Sequence, residues 1–271
     1  MPELPEVENT KISLFPAVGS KIVKIYTSGK KLRKEIPQNI SELQNSTIVD
    51  VQRKAKYLLF HLSNNKTIIS HLGMSGKFIY SEDMDINKHD HVILYLDNGF
   101  TLKYNDPRRF GVFLLEDTND YLNKIFSNVA MDAIDDSFTA EYLLNKLSKI
   151  SSNIKNTLLN QEIIAGIGNI YASEALFKAK ISPLRDANSL NIDELKKLVN
   201  AIKEILHNSI KLGGSTLKDY RKANGEEGGF QNHFLVYSKE NQPCPDKNCD
   251  GVIEKIVQNG RSTFFCKKSQ M

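Results

Sequence analysis

The hydrophobic pattern of the chain changes from a strand-like to a helical period near its middle. Segments rich in β-branched and aromatic residues, which are typical of strands, occupy 21–28, 47–63, 66–73 and 91–104. Asn98-Gly99, inside the last segment, indicates a hairpin turn. One helix is predicted ahead of these segments, from about Pro5 to Phe15. The first part of the chain is therefore predicted to be an antiparallel sandwich or barrel with a leading helix.

Beyond residues 127–136 the hydrophobic period becomes helical. Residues 139–150 predict one helix, and residues 191–210 predict a stronger one whose apolar stripe is typical of a core-facing surface. Gly213-Gly214 is a typical helix end. The tail after Cys244 predicts a β-hairpin, because Asn259-Gly260 separates two strand-like runs. We therefore predict a β-rich domain, then a helical domain closed by a small hairpin.

Composition and charge exclude only a few classes of protein. Among 271 residues, 40% are hydrophobic and 25% are charged, which is ordinary for a globular protein. We see no secretory signal and no apolar run long enough to span a membrane, so we expect a soluble intracellular protein. The net charge is +4, and basic clusters occupy 29–34, 53–56 and 107–109. These clusters suit a polyanion partner, but ordinary solvated faces would explain them as well.

The cysteines indicate a metal site. The chain has three, Cys244, Cys249 and Cys266, and an odd number clustered in an intracellular chain favours a metal over disulfides. A structural zinc site usually has four ligands, and Ser269 stands where a second cysteine of the far pair would complete the set. Asp246, Asp250, His233 or water would be alternative fourth ligands.

Several short motifs contain residues that could do chemistry. In MPELPEVE, Pro5 and Glu6 suit a helix start, which leaves Pro2 and Glu3 unexplained. AGIGNIYASE is a glycine-rich turn that runs into a helix; it suits a phosphate or a plain helix joint, and Asn169 could cap that helix. DPRRFG and HLGMSG suit a wedge in a base stack, or alternatively a structural turn with buried Phe and Met.

These motifs occur together and in one order, from PELPEVE, RKAKYLL, HLGMSG, DPRRFG, AGIGNIYASE and GGSTLKDY to the cysteine hairpin with GRSTFFC. The combination resembles the formamidopyrimidine-DNA glycosylase family of base-excision repair enzymes over effectively the whole chain. The resemblance implies an α+β fold: an N-terminal β-sandwich with a leading helix, a helix-two-turn-helix domain and a zinc-finger-like β-hairpin. We place these parts at 1–133, 134–235 and 236–271.

The resemblance also implies a mechanism and its residues. Pro2, freed of Met1, would be the amine nucleophile, Glu3 the general acid/base, Lys56 a phosphate contact at the lesion, and Glu6 a support for the terminus. The implied DNA contacts are His71, Met74, Arg108, Phe110, Asn169, Tyr237, Lys255 and Arg261. Met74, Arg108 and Phe110 would fill the void left by the flipped base, and residues 217–230 would cover that base.

The implied activity is a glycosylase and AP lyase acting on oxidised purines, such as 8-oxoguanine, in duplex DNA. The implied cofactor is one structural zinc on Cys244, Cys249 and Cys266, although the spacing of the first pair and Ser269 depart from the family pattern. We expect a monomer in the bacterial cytoplasm, associated with the nucleoid. Two alternatives are a related endonuclease VIII-type enzyme for oxidised pyrimidines and a DNA-damage-binding protein without catalysis.

Overall fold

The computed structural model describes residues 1–217 and 220–271. Lys218 and Asp219, which belong to the GGSTLKDY motif and to the predicted covering loop, lie outside the described residues. The described chain groups into two compact units. One consists of Met1–Ser127 with Leu212–Gln231, and the other of Asn128–Lys211 with Asn232–Met271. No helix in the described part of the chain is both long and apolar enough to cross a membrane.

The first unit contains two four-stranded antiparallel sheets. The sheets have the strand orders β1-β6-β7-β5 and β2-β3-β4-β8. The strands are β1 (Ile22–Thr27), β2 (Ile48–Lys54), β3 (Tyr57–Leu62), β4 (Lys66–His71), β5 (Lys77–Ser81), β6 (Asp90–Leu96), β7 (Thr101–Asn105) and β8 (Val112–Asp117). Helix α1 (Leu4–Leu14) precedes them and α2 (Tyr121–Phe126) follows.

Both sheets contribute to one hydrophobic core, as expected for a sandwich. Phe60 of β3 packs on Phe78 of β5 with ring centroids 5.1 Å apart, and Tyr104 of β7 extends this aromatic contact. The predicted sandwich with a leading helix is confirmed, and α1 begins and ends within one residue of the prediction.

Residues 47–63 contain a hairpin whose turn has no glycine or asparagine. The chain reverses at Ala55 and Lys56, and Ala55 takes a left-handed conformation with φ of 55°. Alanine is uncommon there. Arg53 stabilises the turn by donating to the Ala55 carbonyl at 3.0 Å and to Glu8 of α1 at 2.6 Å. A tertiary contact therefore supports a turn that local sequence rules do not predict.

The second unit is helical and ends in a two-stranded hairpin. Its helices are α3 (Ala140–Leu147), α4 (Ile154–Leu158), α5 (Asn169–Lys178) and α6 (Ile192–Lys211), and its strands are β9 (Glu254–Gln258) and β10 (Arg261–Phe265). Asn259 and Gly260 both have positive φ, 46° and 70°, as the predicted two-residue turn requires. The helical domain and its hairpin are confirmed.

The compact units divide the chain differently from the three predicted segments. Residues 212–231 return to the first unit, where Ala223 is buried in the sandwich core and its carbonyl accepts from Tyr80 of β5 at 3.0 Å. The hairpin tail groups with the helices, because Phe264 and Cys266 share a small apolar cluster with Phe177 of α5. The predicted boundaries at 133 and 235 stay a prediction.

Candidate active site and nucleic-acid-binding residues

The first turn of α1 positions the chain start. Glu3 is the N-cap residue, Pro5 lies in the first turn, and Glu3 and Glu6 form a reciprocal capping box. The Glu3 N–H donates to Glu6 Oε2 at 2.8 Å. Pro2, Glu3 and Glu6 are all buried. The helix dipole favours buried carboxylates at a helix N-terminus. Hydrogen bonds hold both the backbone N–H and the side chain of Glu3, the residue directly after Pro2.

Glu6 also ties this helix start to the segment that follows α6. Its second oxygen, Oε1, accepts the Ser215 N–H at 2.7 Å, and its carbonyl accepts the Tyr220 hydroxyl at 3.0 Å. Gly214 has φ of 80°, and a Cβ there would lie 3.1 Å from Glu6 Oε1. The glycine predicted only as a helix end is therefore also needed for a close approach to Glu6.

Lys56 and His71 belong to one antiparallel sheet. Lys56 lies in the β2–β3 turn and is 6% exposed. His71, at the end of β4, pairs with Tyr57, and the two rings are 4.8 Å apart. Burial and the positive charges of Lys56 and Arg33 lower the pKa of His71 to about 4. The imidazole is therefore neutral at pH 7, and because Nδ1 accepts the Gly73 N–H at 2.9 Å, Nε2 carries the hydrogen.

The HLGMSG and DPRRFG motifs form two loops that are fastened to each other. Asp106 is fully buried and accepts from the Ser75 hydroxyl at 2.7 Å and from the Gly111 N–H at 2.8 Å. Gly73, with φ of 62°, comes so close to Phe110 that a Cβ would lie 2.5 Å from its carbonyl carbon. A buried carboxylate thus fixes the relative position of both loops.

The tips of these loops present apolar side chains to solvent. Met74 is 39% exposed and Phe110 is 49% exposed, and the Arg108 guanidinium lies over the Phe110 ring at 4.9 Å. The alternative of buried Phe and Met is therefore wrong. Exposed apolar side chains on rigid loops suit contact with a partner.

In the second unit, Asn169 opens α5 but does not cap it. Gly168 is the N-cap residue, so the predicted cap is wrong. The Asn169 side chain instead accepts from Lys155 Nζ at 2.6 Å and donates to the Ser262 carbonyl of β10 at 2.9 Å. Lys155, on α4, is fully buried. A helix N-terminus, an amide and a buried ammonium group therefore lie together, which suits an anion.

A carboxylate on α5 positions the backbone of Tyr237. The Glu174 carboxylate accepts backbone N–H groups of Leu235, Val236 and Tyr237 at 2.7–2.9 Å. Burial raises the pKa of Glu174 although these three donors oppose the shift. The Tyr237 ring packs edge-on against Phe264 of β10 at 5.1 Å.

The two basic hairpin residues differ in their surroundings. Arg261, the first residue of β10, is exposed. Lys255, on β9, is also exposed and pairs with Glu240 at 3.2 Å. Such an exposed pair is weak, so Lys255 can exchange its partner.

The three cysteines come together as predicted. Their sulfur atoms all lie within 4.8 Å of one another, and Cys249 and Cys266 are 3.6 Å apart. Sulfur ligands on one tetrahedral zinc would be about 3.8 Å apart at a Zn–S distance of about 2.3 Å. The Gly251 N–H donates to Cys249 Sγ at 3.4 Å, and a Cβ at Gly251 would lie 2.8 Å from Cys266 Sγ. The cluster has the composition and spacing of a metal site.

Sequence reasoning missed Lys155 and Glu174. Both are charged residues in segments rich in apolar residues, Lys155 in α4 and Glu174 in α5. An ionisable residue in such a position is rarely buried without a partner, and that signal could have found them.

Comparison with known proteins agrees with this arrangement. Residues 1–113 match the family model of the formamidopyrimidine-DNA glycosylase N-terminal domain, and residues 129–221 match the H2TH domain of the same enzymes. The formamidopyrimidine-DNA glycosylase of Wolbachia pipientis subsp. Culex pipiens is 44% identical over the full length of both chains. The one from Legionella pneumophila (strain Lens) is 40% identical and covers 100% of this chain and 98% of its own.

Solved structures of the same kind superimpose closely. The MutM (Fpg) protein of Thermus thermophilus has a TM-score of 0.89 at 36% identity and covers 99% of this chain and 98% of its own. A Lactococcus lactis Fpg mutant in complex with Fapy-dG-containing DNA has a TM-score of 0.92 at 35% identity, with both chains fully covered. The fold is thus that of a DNA-repair glycosylase. The chain belongs to the formamidopyrimidine-DNA glycosylase family, which confirms the resemblance.

Proposed function

We propose that this protein is a bifunctional DNA glycosylase and AP lyase that excises oxidised purines from duplex DNA. The observation that carries the proposal is the N-terminal arrangement, in which Pro2 directly precedes a capping box built by Glu3 and Glu6. Related structures contain DNA with a Fapy-dG lesion or an abasic site, which supports the same class of substrate.

Pro2 is the proposed nucleophile once Met1 has been removed. An α-amino group titrates near about 7.7–8.0 rather than near about 10.4 as lysine does, so much more of it is free base at pH 7. Its nitrogen forms a bond to C1′ of the damaged nucleotide, and the bond from C1′ to the base breaks with its electron pair on the base. The Pro2 nitrogen loses its hydrogen as a proton, and the departing base takes up a proton in exchange. The ring oxygen leaves C1′ as the sugar opens and takes a proton. The product is an iminium, which stays positively charged because a secondary amine leaves no N–H proton to lose.

Glu3 is the proposed general acid/base at this carbon. Its carboxyl group gives a proton to the opening sugar, and as carboxylate it removes one proton from C2′, which the iminium charge acidifies. The electron pair of that C–H bond forms a C1′–C2′ double bond with the iminium carbon. In the β-elimination the nitrogen lone pair re-forms the iminium, the C1′–C2′ pair moves to C2′–C3′, and the 3′ phosphate leaves with the electron pair of its C–O bond. In the δ-elimination this conjugated iminium loses a second proton, from C4′, to solvent, and the 5′ phosphate leaves with the electron pair of its C–O bond. Glu6 is a positioning residue, because it acts through the Glu3 backbone.

The proposed DNA contacts fall into phosphate-binding and base-replacing groups. Lys56 and Arg261 supply positive charge, whereas His71, Asn169 and Tyr237 supply neutral donors, and Lys255 is a further basic contact. Such contacts fix register without identifying the base. The exposed trio Met74, Arg108 and Phe110 fills the space of the extruded base, with Arg108 as donor to the base opposite.

A structural zinc on Cys244, Cys249 and Cys266 completes the proposal. The thiol spacing and the N–H donor at Cys249 fit this ion. When bound, zinc would crosslink both ends of the β9–β10 hairpin, and so hold Arg261 in place.

The test is borohydride trapping on a duplex with a single 8-oxoguanine opposite cytosine. Wild type and Pro2→Gly are compared, mass spectrometry confirms that Met1 is absent, and the adduct is mapped by peptide sequencing. We expect a covalent adduct at Pro2. A wild-type protein that has lost Met1 and binds the duplex, yet yields neither adduct nor cleavage with 8-oxoguanine, formamidopyrimidine or abasic DNA, would refute the proposed activity.

A further inference from the structure

A tight turn after β10 contains Ser269, three residues after Cys266. The Gln270 N–H donates to the Cys266 carbonyl at 3.0 Å and closes the turn. Metal-binding turns commonly carry a second ligand three residues after the first, and Ser269 holds that position and is 9% exposed.

The Ser269 hydroxyl is engaged by a carboxylate from the other side of the cluster. It donates to Asp246 Oδ2 at 3.2 Å, and the same oxygen accepts Lys180 Nζ at 2.8 Å. The backbone carbonyl of Asp246 in turn accepts the Cys249 N–H at 2.9 Å. Asp246 therefore contacts one metal-site cysteine through its backbone and Ser269 through its side chain.

This contact changes what a serine oxygen can do. A hydroxyl that donates its hydrogen keeps its lone pairs as acceptors. A carboxylate that accepts from a ligand raises the basicity of that ligand and fixes its orientation, as outer-shell carboxylates do for metal-bound histidines. A serine that would otherwise be a weak ligand becomes a better one.

Other fourth ligands are less favoured. Among the described residues, the group of side chains close enough to share a metal contains the three cysteines and no carboxylate or imidazole. Asp250, the acidic neighbour of Cys249, is turned to Lys268 at 3.0 Å and its side chain is 87% exposed.

We infer that Ser269 Oγ is the fourth ligand of the metal, with Asp246 as its outer-shell acceptor and Lys180 holding Asp246. This inference rests on the zinc site proposed above. It gives the chain a ligand set of three thiolates and one carboxylate-supported hydroxyl in place of four thiolates.

The experiment uses the full-length protein loaded with Zn²⁺ or Co²⁺. X-ray absorption at the zinc edge counts sulfur and oxygen ligands, cobalt spectra report the number of thiolates, and a chelator competition gives the affinity. We expect three sulfurs and one oxygen in wild type. Ser269→Cys should give four sulfurs and raise the thiolate-to-cobalt band by about a third, whereas Ser151→Cys, which adds an exposed thiol elsewhere, should not.

A water molecule as fourth ligand would also give one oxygen in the X-ray absorption spectrum. The metal affinity of the variants distinguishes the serine from such a water molecule. We expect Ser269→Ala to weaken Co²⁺ binding at least about tenfold, and Asp246→Ala to weaken it by about ten- to a hundredfold. Asp250→Ala, which removes the other lysine-paired aspartate of the tail, should leave the affinity unchanged.

Three results would overturn the inference: four sulfurs in wild type, three sulfurs in Ser269→Cys, or an unchanged affinity in Ser269→Ala. A wild-type protein that binds neither ion would instead refute the zinc site itself, so the two failures are distinguishable. Thermal unfolding of the metal-free forms checks that the variants fold alike.

Discussion

Replacing Glu6 by glutamine tests whether the proposed catalytic terminus is held by residues outside its own helix. In wild type, the two Glu6 oxygens accept one N–H each, from Glu3 and from Ser215. Glutamine has one carbonyl oxygen, so one N–H must face an NH₂ group. The variant has nearly the same volume, and the perturbation therefore acts through the hydrogen bonds and the charge of this carboxylate.

The magnitude follows from the burial of the group. A hydrogen bond to a charged partner contributes about 1.5–3 kcal/mol, and a buried donor left unsatisfied costs about 1–3 kcal/mol. Glu6 is 2% exposed, so water cannot compensate. We expect Glu6→Gln to lose about 2–3 kcal/mol of local stability, which corresponds to an opening equilibrium constant about 30- to 150-fold larger at these amides.

The assay is amide hydrogen exchange at Glu3 and Ser215, combined with single-turnover excision of 8-oxoguanine. Exchange should accelerate by the factor given above. Excision should slow while duplex affinity is retained, because in the proposed mechanism Glu6 positions Pro2 and Glu3 and does not contact DNA. Suppression of the defect at high DNA concentration would contradict that assignment.

Glu8 provides the matched control on the same helix. It pairs with Arg53 at 2.6 Å and with Lys11, and its side chain is 15% exposed. Glu8→Gln should reduce overall stability but leave Ser215 exchange at the wild-type value. Equal exchange at Ser215 in both variants would refute the role of Glu6.

Three further predictions concern the proposed DNA contacts and the buried histidine. Arg261→Ala should reduce the salt dependence of duplex binding, the slope of log affinity against log salt concentration, by about one ion. Asn169→Ala should weaken binding without changing that slope. Binding titrations at several salt concentrations measure both, and equal slopes in Arg261→Ala and wild type would contradict the assignment. Met74→Ala and Phe110→Ala should each change the free energy of unfolding by less than about 1 kcal/mol, since both side chains are largely exposed. Both variants should nevertheless slow excision. If the two residues served only packing, urea unfolding would show a larger loss of stability and single-turnover kinetics would show unchanged excision. The pKa of His71 is lowered from 6.5 to about 4 in the folded protein, so the unfolded chain binds the proton first and His71 lowers stability progressively as pH falls from about 6.5 to about 4; His71→Gln should remove this part of the acid sensitivity in urea unfolding at pH 7.5 and 5, and an unchanged pH dependence would contradict it.

Local signals in the sequence determined the elements and most of the candidate chemistry. The apolar stripe of α6, the Asn259-Gly260 turn and the helix start at Pro5 depend on neighbours a few residues away, and the structure confirms each of them. The order of the motifs was enough to identify the family, because it extends over the whole chain.

Only the tertiary structure decided features that depend on distant partners. Ala55 adopts a left-handed conformation because Arg53 and Glu8 stabilise its turn. Asn169 does not cap α5, and its side chain instead hydrogen-bonds to Lys155 and to a carbonyl of β10. Glu6 is paired with Ser215, 209 residues away. Local propensity carries no information about such partners, since a buried polar group is satisfied by whatever the fold brings to it. The sequence therefore determined which residues could act, and the fold decided which groups hold them in position.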